Sequence, residues 1–328
     1  MTKFLAYFVG ACVLLLGALY FLSLRPEPER ITYGVTFSVP YAEEIGIDWK
    51  AAYRAMLSDL GVKHLRLVAY WNETEPERDV YDWRDLDFQI SEAKKHDADV
   101  ILSVGRRLPR WPECHVPRWV GDMPWEERQM EIKQLITAVI ERYKDNPTII
   151  MWQIENEPYL TAFATEHCGW LDEDFLQEEI ALARSLDSRP VLVTDGGNFG
   201  LWYGAYTSGD VFGTSMYLYF WRPEVGAFRT VLPAVYYRIK SNVVQRLFGE
   251  KPMILSELSL EPWLAAHIED VPVDEQVSRM PVERMREIVA YAKETGFDTQ
   301  YVWGVEWWYW MKTKQNRSEF WDEAKGLF

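Results

Sequence analysis

The stretch Ile149-Ile150-Met151-Trp152-Gln153-Ile154-Glu155-Asn156-Glu157-Pro158 decides how this chain is read. Ile149 to Ile154 is a short apolar run, too apolar for a strand with one wet face, and it reads as a strand covered on both sides. It ends in two carboxylates and an amide. Upstream, Ile132, Leu135, Ile136, Val139, Ile140 and Tyr143 recur at helical spacing until Asp145-Asn146-Pro147 stops them. A helix followed by a buried strand is the unit of a parallel sheet.

Outward from this unit the pattern repeats. Strand-like runs occur at Tyr33–Ser38, His64–Tyr70, Asp99–Val104, Val191–Thr194, Val211–Met216, Met253–Ser256 and Gln300–Val305. Helical stripes lie between them, as at Trp83, Leu86, Ile90 and Ala93, and at Val282, Met285, Val289 and Ala292. Eight strands alternating with helices point to an α/β fold, the (β/α)8 TIM barrel, for which ~250 residues is typical. The fifth unit is the shortest. A doubly wound open sheet is the alternative, but no glycine-rich phosphate loop follows any strand.

Chemistry in such a barrel sits where strands end. The fourth strand ends at Glu157; the seventh, Met253-Ile254-Leu255-Ser256, ends at Glu257, a hundred residues later. One buried carboxylate can be a structural ion pair. Two, on strands nearly opposite in a barrel, are what glycosidic cleavage requires: one acid protonates the leaving oxygen, the other attacks the anomeric carbon or activates water.

Trp152-Gln153-Ile154-Glu155-Asn156-Glu157-Pro158 resembles the fourth-strand Asn-Glu-Pro signature of glycoside hydrolase clan A, which includes the family 5 cellulases and mannanases. The resemblance runs from about Gly34 to Trp308. It implies Glu157 as acid/base and Glu257 as nucleophile of a retaining double displacement, with Asn156 on the sugar 2-hydroxyl. Arg66 resembles the arginine that keeps the nucleophile ionised, and Tyr217 the tyrosine that donates to it. Trp303 or Trp307 on the eighth strand would be the platform beneath a sugar ring, and Trp71 at the end of the second strand could line the cleft. The sequence departs from family 5 at two places: the usual histidines near the third and sixth strand ends are replaced within Ser103-Val104-Gly105-Arg106 and by Ser215. Glu155 faces away from Asn156 and reads as a structural partner, Glu261 as a rim residue. A transglycosylase on the same site and a catalytically inactive carbohydrate-binding barrel are the alternatives.

Composition agrees with this reading. There are 35 Lys+Arg against 50 Asp+Glu, a formal net charge of −15, which excludes a nucleic-acid partner and disfavours polyanionic substrates. A neutral carbohydrate substrate is expected. The 16 Trp, 18 Tyr and 15 Phe exceed what a core needs and suit ring-shaped ligands. With five His and three Cys at no metal-binding spacing, neither metal nor organic cofactor is expected. A monomer is expected.

Phe4 to Leu24 carries no charge, and at ~1.5 Å per residue it is long enough for the ~30 Å bilayer core. Residues 1–30 are therefore expected to be a membrane anchor and short linker, with 31–328 the catalytic domain. A cleaved signal segment, which would make the protein secreted, is the rival; Leu22-Ser23-Leu24-Arg25 is a poor cleavage site. The long third loop, Arg106 to Glu127, carries Cys114, and the fourth carries Cys168. A disulfide between them would tie two rim loops and fits an oxidising compartment, hence a catalytic domain outside the cytoplasm; two free thiols in a reducing one is the alternative.

Overall fold

In the computed structural model all eight expected runs are strands, and they close on themselves. The structure describes residues 2–24, 27–161, 168–222, 225–264 and 266–328; Arg25 and Pro26 of the expected linker lie outside the described residues. The strands are β1 (Thr32–Thr36), β2 (His64–Val68), β3 (Asp99–Val104), β4 (Ile149–Ile154), β5 (Val191–Asp195), β6 (Val211–Met216), β7 (Met253–Ser259) and β8 (Thr299–Trp303). They form a closed parallel barrel in the order β1-β8-β7-β6-β5-β4-β3-β2. A small antiparallel hairpin, Tyr219–Arg222 with Gly226–Arg229, stands above β6.

The apolar runs are explained by what covers them. Ile101, Leu192, Ile254 and Tyr301, from β3, β5, β7 and β8, form a cluster of their own, distinct from the larger core between strands and helices. Tyr301 fits because β1 has Gly34 beside it: a Cβ there would stand 2.5 Å from the Tyr301 ring. On the outside, α2 (Arg84–Lys95), α3 (Trp125–Tyr143), α4 (Glu173–Leu186), α5 (Val235–Phe248) and α6 (Val282–Glu294) turn their apolar stripes to the sheet. The expected stripe of α3, Ile132 to Tyr143, is buried in full. The short fifth unit holds only a six-residue helix, Tyr203–Ser208, between β5 and β6.

The register is irregular where function needs it. Between β6 and β7, Thr214 pairs with Leu255 but Ser215 pairs with Glu257, so one residue of β7 is left over. A bulge of this kind re-aims the next side chain, and here it sets Glu257 opposite Ser215.

The N-terminal segment departs from expectation. It is helical, α1 (Thr2–Ser23), and Phe4, Tyr7 and Leu14 are exposed. Among the described residues, however, no helix is long and apolar enough to cross a membrane. The expected transmembrane anchor is therefore unsupported. The end of α1 lies against α5, where Asn242 Nδ2 donates to the Leu22 carbonyl at 2.5 Å and the Arg246 guanidinium covers the Phe21 ring.

Cys114 and Cys168 are joined in a disulfide with Cα atoms 5.5 Å apart, as expected for the two rim loops. The bridge closes a loop across 54 residues of chain. Replacing both cysteines by serine is expected to lower stability by about 2–4 kcal/mol, measured by urea unfolding; a change near zero would show that the two loops are held by other contacts.

Candidate active site

The site begins with a backbone that the sequence disfavours. Glu155 and Glu157, on either side of Asn156, have φ of 56° and 44°, left-handed values that cost energy for non-glycine residues. Neighbouring groups hold the turn. The Glu155 carboxylate accepts the Arg106 and Arg107 backbone N–H groups, both at 2.6 Å, Asn156 N–H donates to the Arg107 carbonyl at 2.6 Å, and Glu157 N–H donates to Thr194 Oγ1 at 2.9 Å. Gly105 leaves room for this: a Cβ there would stand 2.4 Å from Glu155 Oε1, at a φ of 142°. Glu155 is thus the structural partner it was expected to be.

Arg66, from β2, is fully buried and ties three strands together. Its Nε donates to Gln153 Oε1 at 2.7 Å, its Nη2 to Asn156 Oδ1 at 2.7 Å, and its Nη1 to Glu257 Oε1 at 3.0 Å and the Ser256 carbonyl at 3.2 Å. Ser103 adds a hydrogen bond to Gln153 Oε1 at 3.1 Å. With Oδ1 of Asn156 committed to Arg66, its amide nitrogen is the group available to a ligand. The second oxygen of Glu257 accepts from Tyr217 Oη at 2.8 Å. Tyr217 keeps its proton, because burial and the charges of Glu257 and Glu157 push it well above the ordinary phenol range.

Glu157 has the opposite environment. Its Oε1 has no hydrogen-bond partner among the described residues. Burial foremost, then the charges of Glu257 and Glu113, push it well above the usual carboxylate range, while a hydrogen bond to Ser215 pulls the other way. Two carboxyl groups of one site, one accepting from a guanidinium and a phenol and one pushed upward by burial, stand in the unequal environments that an acid and a nucleophile need.

Glu157, Asn156, Glu257, Tyr217 and Trp303 all line one cleft at the C-terminal mouth of the barrel. Arg66 lies beneath it, on Glu257, rather than on its wall. Two expected aromatic residues are not there. Gly304, at φ 127°, ends β8 at Trp303, two residues before the expected end, and Trp307 falls on α7 (Val305–Lys314). It is fully buried, its indole donating to Gln276 at 2.8 Å. Trp71 opens a short helix after β2, packs edge-on against Trp119 and donates to Glu75 at 2.8 Å. The wall also contains residues that the sequence did not mark: Arg110, Glu113, Ser215 and Trp263. Glu113 is paired with Arg107 at 2.6 Å. For Arg110 and Glu113 the only signal was charge in the long tryptophan-rich loop; Ser215 stood out only as a departure from the family pattern, and Trp263 carried no signal.

A (β/α)8 barrel with an acid and a carboxylate in one cleft at its C-terminal end is the architecture of a glycoside hydrolase. Residues 34–209 match cellulase (glycosyl hydrolase family 5). The chain belongs to this family. Among curated proteins it is similar to the β-galactosidase BgaA of Clostridium cellulovorans, 24% identical over 143 residues, covering 37% of this chain and 22% of that one. It is also similar to the β-galactosidase BgaB of a Geobacillus species, 24% identical over 156 residues, covering 41% of this chain and 23% of that one. The matched segments thus span under a quarter of those relatives. Among solved structures, GH5_18 from Bifidobacterium longum subsp. longum superposes with a TM-score of 0.58 at 13% identity, over 84% of this chain and 70% of that one. The β-galactosidase of Bacillus circulans sp. alkalophilus gives 0.57 at 15% identity, over 85% and 51%. These two likenesses show the fold.

Two outcomes are expected from this geometry. Removing the Arg66 side chain (Arg66→Ala) strands Glu257, Asn156 and Gln153 in the interior and is expected to cost about 3–5 kcal/mol, read by chemical denaturation; a cost below 1 kcal/mol would show the hub to be dispensable. The second concerns pH. The folded Glu157 holds its proton more tightly than the unfolded chain does, so stability falls as pH rises above the ordinary carboxylate range. Glu157→Gln removes that loss, and its melting temperature is expected to exceed the parent's by a margin that grows between about pH 4 and about pH 7. A margin constant across that window would mean that Glu157 is ionised in the fold.

Proposed function

We propose that this chain hydrolyses β-glycosidic bonds of a neutral oligo- or polysaccharide by double displacement. One observation carries this reading: within a single cleft the Glu257 carboxyl accepts from both Arg66 and Tyr217, while burial and the neighbouring carboxylates push Glu157 well above the usual carboxylate range. In the first half-reaction Glu257 attacks the anomeric carbon as Glu157 protonates the departing oxygen, leaving a glycosyl ester on Glu257 and a carboxylate at Glu157. In the second, Glu157 takes a proton from water, whose oxygen displaces Glu257 from the same carbon. Configuration is retained. Asn156 offers its amide to the sugar beside the scissile bond, and Trp303 offers an aromatic wall.

The β-galactosidase relatives support a β-linked substrate, and the net charge of −15 supports a neutral one. The Cys114–Cys168 disulfide supports a catalytic domain outside the cytoplasm.

Glu157→Gln is expected to lower kcat on unactivated β-glycosides by about 10²–10⁴-fold, with a smaller loss on 2,4-dinitrophenyl glycosides, whose leaving group needs no proton. Azide is expected to restore turnover to this variant by forming the β-glycosyl azide. Glu257→Gln is expected to be inactive on both substrates. Near-parental hydrolysis by either variant, or a first-formed product of inverted configuration by proton NMR, would overturn the assignment.

A further inference from the structure

The cleft is not open at both ends. Its walls come from the ends of β3 to β8 and their loops, and among the described residues that line it none comes from β1 or β2. The reason is Arg110. The third loop carries this residue across the barrel mouth, at a φ of 87°, to the far side. There its two terminal nitrogens meet both oxygens of Glu261, in the loop after β7, with Nη2 3.2 Å from Oε2. The guanidinium lies 3.6 Å over the Tyr41 ring, beyond β1, and 4.8 Å over the Trp303 ring of β8. The loop is pinned on either side: Tyr70 Oη donates to the Pro109 carbonyl at 3.1 Å, His115 Nε2 is 3.0 Å from the Arg110 carbonyl, and Cys114 is in the disulfide.

A forked, largely buried Arg–carboxylate pair sandwiched between two rings does not part easily, because separating it leaves two uncompensated charges. It forms a fixed wall. The remaining direction is set by the chemistry. Glu157 protonates the leaving oxygen, so the leaving group lies on its side, next to β5. There the cleft continues along Gly197, Asn198 and Phe199, with the partly exposed rings of Phe199 and Trp263 at the rim. The leaving group thus has an open channel, and the sugar on Glu257 has a blind end.

Resting on the glycosidase reading above, we infer that the enzyme acts on chain ends, removing one sugar at a time from the non-reducing terminus, with the Arg110–Glu261 bridge as the wall that excludes a second glycone residue. Trp303 and the bridge together bound the terminal sugar. The Trp303 indole nitrogen is buried without a hydrogen-bond partner among the described residues and is a donor for one of its hydroxyls.

The test uses 2,4-dinitrophenyl 2-deoxy-2-fluoro-β-glycosides, which trap the glycosyl ester, with the full chain analysed by intact mass. The probes are the glucosyl, galactosyl and mannosyl monosides and the cellobiosyl and mannobiosyl biosides. For the parent protein at least one monoside is expected to add a single fluorohexosyl group at Glu257, with the biosides slower by roughly a hundredfold. Arg110→Ala and Glu261→Ala are each expected to narrow that gap by roughly tenfold or more, and labelling by the monoside shows that each variant is folded. Equal labelling of the parent by a monoside and its bioside overturns the blind end while leaving the glycosidase reading intact. Labelling by neither class overturns both. A gap unchanged in both variants removes the bridge as its cause.

Discussion

The burial of Arg66 is the constraint on which the rest depends. A guanidinium without water has to find an acceptor for each donor edge, and here the acceptors come from β4 and β7. The same contacts that neutralise the buried charge bring Glu257 to the barrel axis, orient Asn156 and fix Gln153. Structural necessity and site assembly are therefore one set of hydrogen bonds. The strained turn at Glu155 and Glu157, held by the third loop, is what presents Asn156 to Arg66.

Around that hub, electrostatics are arranged by subtraction. Glu257 receives a cation and a phenol at hydrogen-bond distance, whereas Glu157 receives a hydrogen bond from Ser215 and the weaker pull of Arg107, and its Oε1 has no partner among the described residues. Placing Glu113 and Glu257 nearby adds repulsion to desolvation. No special residue type is required to separate the two carboxyls, only unequal company.

Much of this was legible in the sequence, for identifiable reasons. Strands covered on both faces spell continuous apolar runs that do not depend on register, so all eight could be read. A carboxylate interrupting such a run stands out against its apolar neighbours, which exposed both Glu157 and Glu257. Arg66 and Tyr217 were reached through resemblance, and both touch Glu257. What failed depends on single backbone angles or on contacts between loops. Trp307 lies in an apolar run that Gly304 diverts from strand to helix, and Trp71 turns away from the mouth into the core. Arg110 and Glu261 meet from two irregular loops 151 residues apart, where periodicity carries no information. The first helix was legible as a helix, whereas its reading as a membrane span is unsupported among the described residues.

The unpaired residue in β7 has a wider consequence. Because a slip in the main-chain ladder sets Glu257 opposite Ser215, the point from which its carboxyl enters the cleft is a property of the backbone. Shortening or lengthening one side chain leaves both attachment points where they are. A placement encoded this way is buffered against most substitutions yet vulnerable to a single insertion or deletion in β7, which would exchange the faces of Ser256 and Glu257 and turn the Glu257 carboxyl out of the cleft without removing a single functional group from the protein.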